Sequence, residues 1–257
     1  MSKPERPRNR KDRHRGDAPA RLWLYGRHAV AAALKNPDRR VRRVAATKNA
    51  ADWLESAAPE AMVERIEDAK PDVIDALLPK GAVHQGLAAE VFDLPRARLK
   101  EVCIPTLAGR PVIVLDQITD PQNIGAIFRS AAAFGARAVI VQDRRTPPLS
   151  GVLAKAAAGA IETIPCIRAV NIARSLEALN EHGYQTLGFA GEATGTLREI
   201  NAEQPTALVL GAEGAGLRPL VAKTCTDLVR IPIAPTIESL NVSVAAAIAL
   251  YALSAPQ

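Results

Sequence analysis

From Pro111 onward the chain alternates short, wholly apolar runs with longer runs that are apolar on one side only. "VIVLD", "RAVIVQ" (Arg137 to Gln142), "YQTLGFA" (Tyr184 to Ala190), "TALVLG" (Thr206 to Gly211) and "LVRIPI" (Leu228 to Ile233) have the length and branched-residue content of buried strands. Between them the spacing predicts helices near 123–134, 150–158, 170–182, 217–223 and 240–253. In the first helix Ile124, Ile127, Phe128 and Ala131 form the core stripe, and Arg129 falls well away from it. Apolar strands alternating with helices predict an α/β domain with a mostly parallel sheet covered on both faces. The last helix is apolar all round, so it needs a second cover besides the sheet, and a partner subunit is the natural one.

Upstream, "LWLYGRHAVAAAL" (Leu22 to Leu34) predicts an opening helix after Gly26, with His28, Ala29, Ala32 and Ala33 on one face. "VRRVAAT" and "GLAAEVFDL" predict strands, and "DVIDALL" a helix, which together make a small α/β unit over 21–97. Residues 98–110, rich in Pro, Gly and charge, read as a linker, and 111–257 as the second domain.

Charge sharpens this division. The net charge of the 257 residues is +6, but residues 1–20 carry seven Lys/Arg against three acids, with almost nothing apolar. Such a segment cannot bury enough surface to fold. It reads as a disordered basic tail suited to nucleic acid, not as a secretory signal or transit peptide. Cys103, Cys166 and Cys225 are far apart and odd in number, so neither a metal site nor a disulfide framework is expected. The longest apolar run, Val242 to Ala255, is too short to span a bilayer. The expectation is a soluble, cytoplasmic protein.

Three turns at the carboxyl ends of predicted strands carry the candidate chemistry, where open α/β sheets bind ligands. "DPQNIGAIFR" offers Asp120 as a helix cap, Pro121 at the first helical position, then Asn123 and Arg129. "LGAEGAG" spaces its glycines as G-x-x-G-x-G, not as a dinucleotide loop, and sets Glu213 among them. "IPIAPTIESLN" crowds Ser239, Asn241 and then Ser243 at a helix start, where capping needs only one of them. No phosphate-binding loop is present, which disfavours a nucleotide-binding enzyme.

Together the three turns resemble the SpoU (TrmH-like) family of RNA 2′-O-ribose methyltransferases, within the SPOUT superfamily. The matching positions are Asp120, Asn123, Gly125 and Arg129; Gly211, Glu213 and Gly216; and Ile231, Pro232, Ser239, Leu240 and Asn241. "YGRHAV" and "HQGLAAEV" resemble landmarks of the family's ribosomal-protein-like substrate-binding domain. Pro235 departs from the pattern, which carries Gly there.

The resemblance implies a trefoil-knotted, mostly parallel α/β sheet, a homodimer through the knotted domain, and S-adenosyl-L-methionine as cofactor, with no metal. It places the cofactor at Leu210, Gly211, Ile231, Ser239 and Leu240, and catalysis at Asn123, Arg129, Glu213 and Asn241; our own expectation is that Glu213 pairs the Arg129 guanidinium and sets its plane. The implied substrate is a ribose 2′-hydroxyl of structured RNA, a guanosine of 23S rRNA before a tRNA nucleotide. A non-catalytic RNA-binding or ribosome-assembly factor on the same scaffold is the alternative from another class.

Overall fold

The computed structural model describes residues 21–59, 66–104, 110–200 and 203–254. The basic segment 1–20 therefore lies outside the described residues. Two sheets organise the rest. The first has strand order β1-β4-β2-β3, from β1 (Arg21–Tyr25), β2 (Val41–Ala46), β3 (Ile66–Asp68) and β4 (Leu87–Phe92). Strand β4 runs antiparallel to both β1 and β2. Its "LAAEV" is wholly buried because it is central. The one charge in that run, Glu90, is met by Arg42 at 2.8 Å and Arg43 at 2.9 Å. Burial alone would raise its carboxyl, but the two guanidinium donors outweigh burial and hold it below the usual range.

Helices α1 (Arg27–Lys35), α2 (Lys48–Ala57) and α3 (Pro71–Leu77) complete this unit. Leu22 to Tyr25, read only as the approach to a helix, is strand β1, and α2 was not foreseen at all. The buried face of α1 is Ala29, Val30, Ala31 and Ala33. His28 is exposed instead, edge-on to Trp53, so it does not belong to that face. The segment read as a linker contains a one-turn helix, α4 (Leu99–Val102), followed by buried Cys103.

The second sheet has seven strands, ordered β7-β6-β5-β10-β8-β11-β9, and every pairing between them is parallel. The strands are β5 (Val112–Leu115), β6 (Ala138–Gln142), β7 (Cys166–Ala169), β8 (Gln185–Phe189), β9 (Gly195–Thr196), β10 (Thr206–Leu210) and β11 (Asp227–Arg230). Strands β7 and β9 were not expected; they are the sheet's short edges, with weak apolar signatures. Strand β11 stops at Arg230 and does not continue to Ile233.

The central runs are apolar at every position because both faces are covered. Ile113, Leu115, Val139 and Val141 pack on one side, and Val112, Val114, Ala138 and Ile140 on the other. The first side is covered by α5 (Pro121–Ala133), α6 (Gly151–Ala157) and α9 (Val242–Leu253), the second by α7 (Ile172–Glu181) and α8 (Pro219–Thr224). All four residues of the predicted α5 stripe are fully buried. Gly125 lets α6 lie directly on α5, since a Cβ there would stand 2.5 Å from the Leu153 carbonyl oxygen.

The core on this side continues into the first unit, joining Leu24, Val30 and Ala33 to Leu149, Leu153 and Ile161. Among the described residues no helix is long and apolar enough to cross a membrane.

Burial pushes the Cys103 thiol up to about 11, with the charge of Arg137 only partly opposing it. The folded protein then keeps this proton while the unfolded chain loses it near 9.0. The folded form is therefore favoured below that pH and loses the advantage as pH rises towards 11. Urea unfolding above pH 9 should show the parent losing up to about 1.4 kcal/mol per pH unit more than Cys103→Ala. Equal slopes for the two proteins would contradict the assignment.

Candidate active site

Neighbouring strands β5 and β10 end side by side, and the loops that leave them converge with the loop before α9. The first begins at Asp116, whose carboxylate is fully buried and whose N–H donates to the Leu210 carbonyl at 2.8 Å. Arg218 answers the carboxylate from the far end of the β10 loop. Its backbone N–H donates to Oδ2 at 3.0 Å and its Nε to Oδ1 at 2.9 Å. Both ends of the Gly211–Leu217 loop are thus tied to the end of β5. Asp116 and Arg218 were missed in the sequence, although one acid closing an otherwise apolar strand was a readable signal. Next to Asp116, Gln117 has φ 61, a left-handed conformation costing a non-glycine residue about 1–2 kcal/mol. Such strain collects where function constrains the backbone.

Asp120 then caps α5, accepting from the N–H groups of Gln122 at 3.1 Å and Asn123 at 3.3 Å. With Pro121 in the first turn, this fixes where the helix starts and so where Asn123 stands.

The β10 loop needs its glycines for two reasons. Gly214 and Gly216 have φ of +75 and +64. Gly211 is crowded instead: a Cβ there would lie 2.2 Å from the Gly216 carbonyl carbon, because the loop closes on itself through Gly216 N–H to Ala212 O at 2.8 Å. This tight ring lifts Glu213 into the open.

Asn241 is the N-cap of α9. Its Oδ1 accepts from Ser243 N at 2.9 Å, Val244 N at 3.4 Å and Ser243 Oγ at 2.6 Å, which turns its Nδ2 outward. That Nδ2 donates to Glu213 Oε1 at 2.9 Å and to Asn123 Oδ1 at 3.0 Å. Asn123 Nδ2 donates to the same Oε1 at 3.1 Å, and Val242 N at 3.5 Å. Asn123, Glu213 and Asn241, which are 90 and 28 positions apart in sequence, form one closed junction.

Arg129 does not join it. It is exposed, and among the described residues it has no hydrogen-bond or ion-pair partner. The expected Glu213–Arg129 pair is absent: Glu213 Oε1 takes both amides, and Arg129 makes no contact with the carboxylate. Six residues along α5 also put Arg129 about 9 Å below Asn123 along the helix axis.

The remaining candidates surround the junction. Leu210 is buried at the end of β10, Ile231 and Leu240 are half-buried, and Ser239 is exposed in the loop before α9. Pro235 suits its place there. Ile237 N–H donates to Ala234 O at 3.1 Å, so Pro235 holds the second position of a turn, which favours fixed φ and needs no donor. Among the described residues no group of three or more His, Cys, Asp or Glu is placed to hold a metal ion.

Comparisons with known proteins place the chain in a family. Residues 110–251 match the SpoU rRNA Methylase family, and residues 23–97 match the family described as RNA 2′-O ribose methyltransferase substrate binding. The chain is 40% identical over 240 residues to the 23S rRNA (guanosine-2′-O-)-methyltransferase RlmB of a Burkholderia species, covering 89% of this chain and 94% of that protein. The protein of the same name from Yersinia pestis is 41% identical over 239 residues, with the same coverage. Among solved structures, a TrmH-family RNA methyltransferase from Porphyromonas gingivalis superposes with a TM-score of 0.72 at 27% identity, over 91% of this chain and 89% of that one. The SpoU methyltransferase AviRb from Streptomyces viridochromogenes, solved with AdoMet, shares the fold with a TM-score of 0.75 at 24% identity, over 91% of this chain and 89% of that one.

The crowding at Gly211 makes a stability prediction. Gly211→Ala must push the 212–216 ring aside and should cost about 1–3 kcal/mol in urea unfolding. An unchanged midpoint would show that the ring yields freely.

Proposed function

The chain belongs to the SpoU rRNA Methylase family; from that premise we propose that it transfers a methyl group from S-adenosyl-L-methionine to the ribose 2′-hydroxyl of a guanosine in 23S rRNA. The observation that carries the site-level reading is the Asn123–Glu213–Asn241 junction, which draws three loops together at the carboxyl edge of the sheet. An RNA-binding factor without activity has no need for two amides and a carboxylate arranged so closely at that edge.

The residues present fit the cofactor. Beside the tight turn at Gly211, the half-buried Ile231 and Leu240 supply apolar surface for a flat base, with Ser239 at the rim. When bound there, S-adenosyl-L-methionine supplies an electrophilic methyl on a sulfonium. The 2′-oxygen forms the new O–C bond as the C–S bond breaks, and the hydroxyl proton leaves to a phosphate oxygen or water.

In this reading Arg129 acts as a cation and hydrogen-bond donor and not as the base, because a guanidinium offers five N–H donors and no acceptor. It holds an RNA phosphate and stabilises alkoxide character on the 2′-oxygen. Freedom from an intramolecular partner suits that role. Glu213 acts on the asparagines, fixing both amide planes so that Asn123 and Asn241 keep the mouth of α5 and the start of α9 in register.

The finer architecture belongs to the same proposal. Strand β10 inserts between β5 and β8, and β11 between β8 and β9, so the chain returns late to the middle of the sheet. That order supports a trefoil knot through the last strands and α9. The basic segment 1–20 would supply further cations for the RNA backbone.

Two outcomes test this reading. Arg129→Lys keeps the charge and loses the planar fork; it should bind S-adenosyl-L-methionine as the parent does, yet lose about 10²–10³-fold in single-turnover methylation of rRNA. Near-parental methylation by Arg129→Ala would reject the role.

The second concerns a homodimer. Val244, Ile248 and Tyr251 lie on one face of α9 at helical spacing and are 46%, 39% and 71% exposed, opposite the buried Ala246, Ala249 and Leu250. Light scattering should find a dimer at micromolar concentration that Ile248→Asp converts to monomer; a monomeric parent would defeat this part.

A further inference from the structure

Where the two sheets meet, a charged pair is buried. Arg39, between α1 and β2, reaches Glu162 at the end of a short 3-10 turn, Ala160–Glu162, that precedes β7. The guanidinium NH2 stands 2.7 Å from Oε1, and Nε lies 3.1 and 3.0 Å from the two carboxylate oxygens. NH1 donates to the Phe92 carbonyl at 2.7 Å. Asn36 Nδ2 donates to Glu162 Oε2 at 2.8 Å and to its backbone oxygen at 3.2 Å. Both charged side chains are 1% exposed.

Stability alone is a poor explanation. Taking two charges out of water offsets most of their attraction, and apolar isosteres often stabilise as well. What apolar side chains do not provide is direction. A guanidinium fork on a carboxylate fixes an angle as well as a distance.

The junction has reason to need one. On one side it is an apolar contact, Leu24 and Val30 meeting Leu153 and Ile161, which tolerates sliding. On the other it opens into a cleft of about 640 Å³, lined by Asp38, Asp93 and Arg96 of the first unit and Asp143, Thr146 and Arg168 of the second. The ion pair stands at the cleft's inner wall. A second anchor is steric: a Cβ on Gly159 would lie 2.6 Å from the Ala32 Cβ and 3.3 Å from the His28 carbonyl oxygen, so α1 sits directly on that backbone. One point of contact and one fixed angle together define how the first sheet stands on the second.

We propose that Arg39 and Glu162 are positioning residues that hold the substrate-binding unit at a set angle to the Asn123–Glu213–Asn241 junction, and so determine which ribose of a bound RNA reaches it. The inference rests on the function proposed above. RNA held by residues 21–97 arrives along a fixed vector, and the pair sets that vector without touching RNA, cofactor or reacting atoms. Loosening it leaves the cofactor's surroundings intact and scatters the ribose.

The test uses the full chain and an in vitro 23S rRNA transcript, with three variants: Arg39→Lys, Glu162→Gln, and the paired Arg39→Met with Glu162→Leu. Three quantities are read: the dissociation constant for S-adenosyl-L-methionine, kcat and KM for RNA, and the methylated position by ribose-methylation mapping. Each variant should bind cofactor within about twofold of the parent, yet lose about 10–100-fold in kcat at saturating RNA, with methyl groups appearing on neighbouring riboses. The paired variant is the deciding one because it leaves no lone buried charge, and its melting midpoint is measured beside the parent's to establish that it is folded. If it methylates one ribose with parental kcat, the pair is packing only and the inference is overturned. A single-site variant that unfolds is recognised by lost cofactor binding, and the paired variant then decides alone. If the parent itself methylates no ribose, the functional reading fails and takes this inference with it; if the parent methylates and the variants match it, the inference alone falls.

Discussion

One carboxylate oxygen holds the candidate site together. Glu213 Oε1 accepts from the Asn123 amide, the Asn241 amide and the Val242 N–H, which come from the helix after β5 and the helix after β11. Its own loop follows β10. A single acceptor therefore sets the spacing of three segments, two of which follow the neighbouring strands β5 and β10 while the third follows β11, two places further along the sheet. The groups that support it follow in order. Glycines at 211, 214 and 216 let the loop close tightly enough to present Glu213. Asp116 and Arg218 clamp both ends of that loop to β5. Asp120 starts α5 at the residue that puts Asn123 within reach.

Much of this was legible in the sequence, and the reason is local chemistry. The run of Val112 to Leu115 is apolar at every position because it is covered twice, and the α5 stripe repeats at helical spacing because it is covered once. Glycine spacing and caps announced the three loops. What stayed hidden depends on distance or on weak edges. Strand β1 failed to register because its "LWLY" runs straight into Gly26 and an alanine-rich helix, so one apolar stretch served two elements. Strands β7 and β9 lie at the edges of the sheet, where one side of the ladder is unpaired and the apolar signal is thin. His28 looked like a core residue by spacing, yet α1 turns it to Trp53 at the surface.

Pairings were the least legible of all. Nothing in a linear pattern says that Arg39 will find Glu162 across 123 positions, or Arg218 Asp116 across 102. The expected partner for Arg129 shows the same limit from the other side. Glu213 and an arginine in matching motifs invite an ion pair, but two amide donors reached the carboxylate first, and geometry gave them the shorter path. A motif lists which side chains share a site; only the backbone decides which of them touch.

That difference separates two kinds of residue in this fold. Asn123, Glu213, Asn241, Asp116 and Arg218 spend their polar atoms on one another, as do Arg39 and Glu162 at the junction of the sheets. Such groups are held in place by contacts already made. Arg129 is the opposite case: a full charge at the surface of a helix whose other side is fully buried, so the side chain is held at its root and free at its tip. Rigid polar networks therefore fix where the backbone stands, and Arg129, which lies outside them, has hydrogen bonds still to give. In the proposed reaction an incoming phosphate is the partner its five donors fit, and desolvating that pair would strengthen it only once the RNA had arrived.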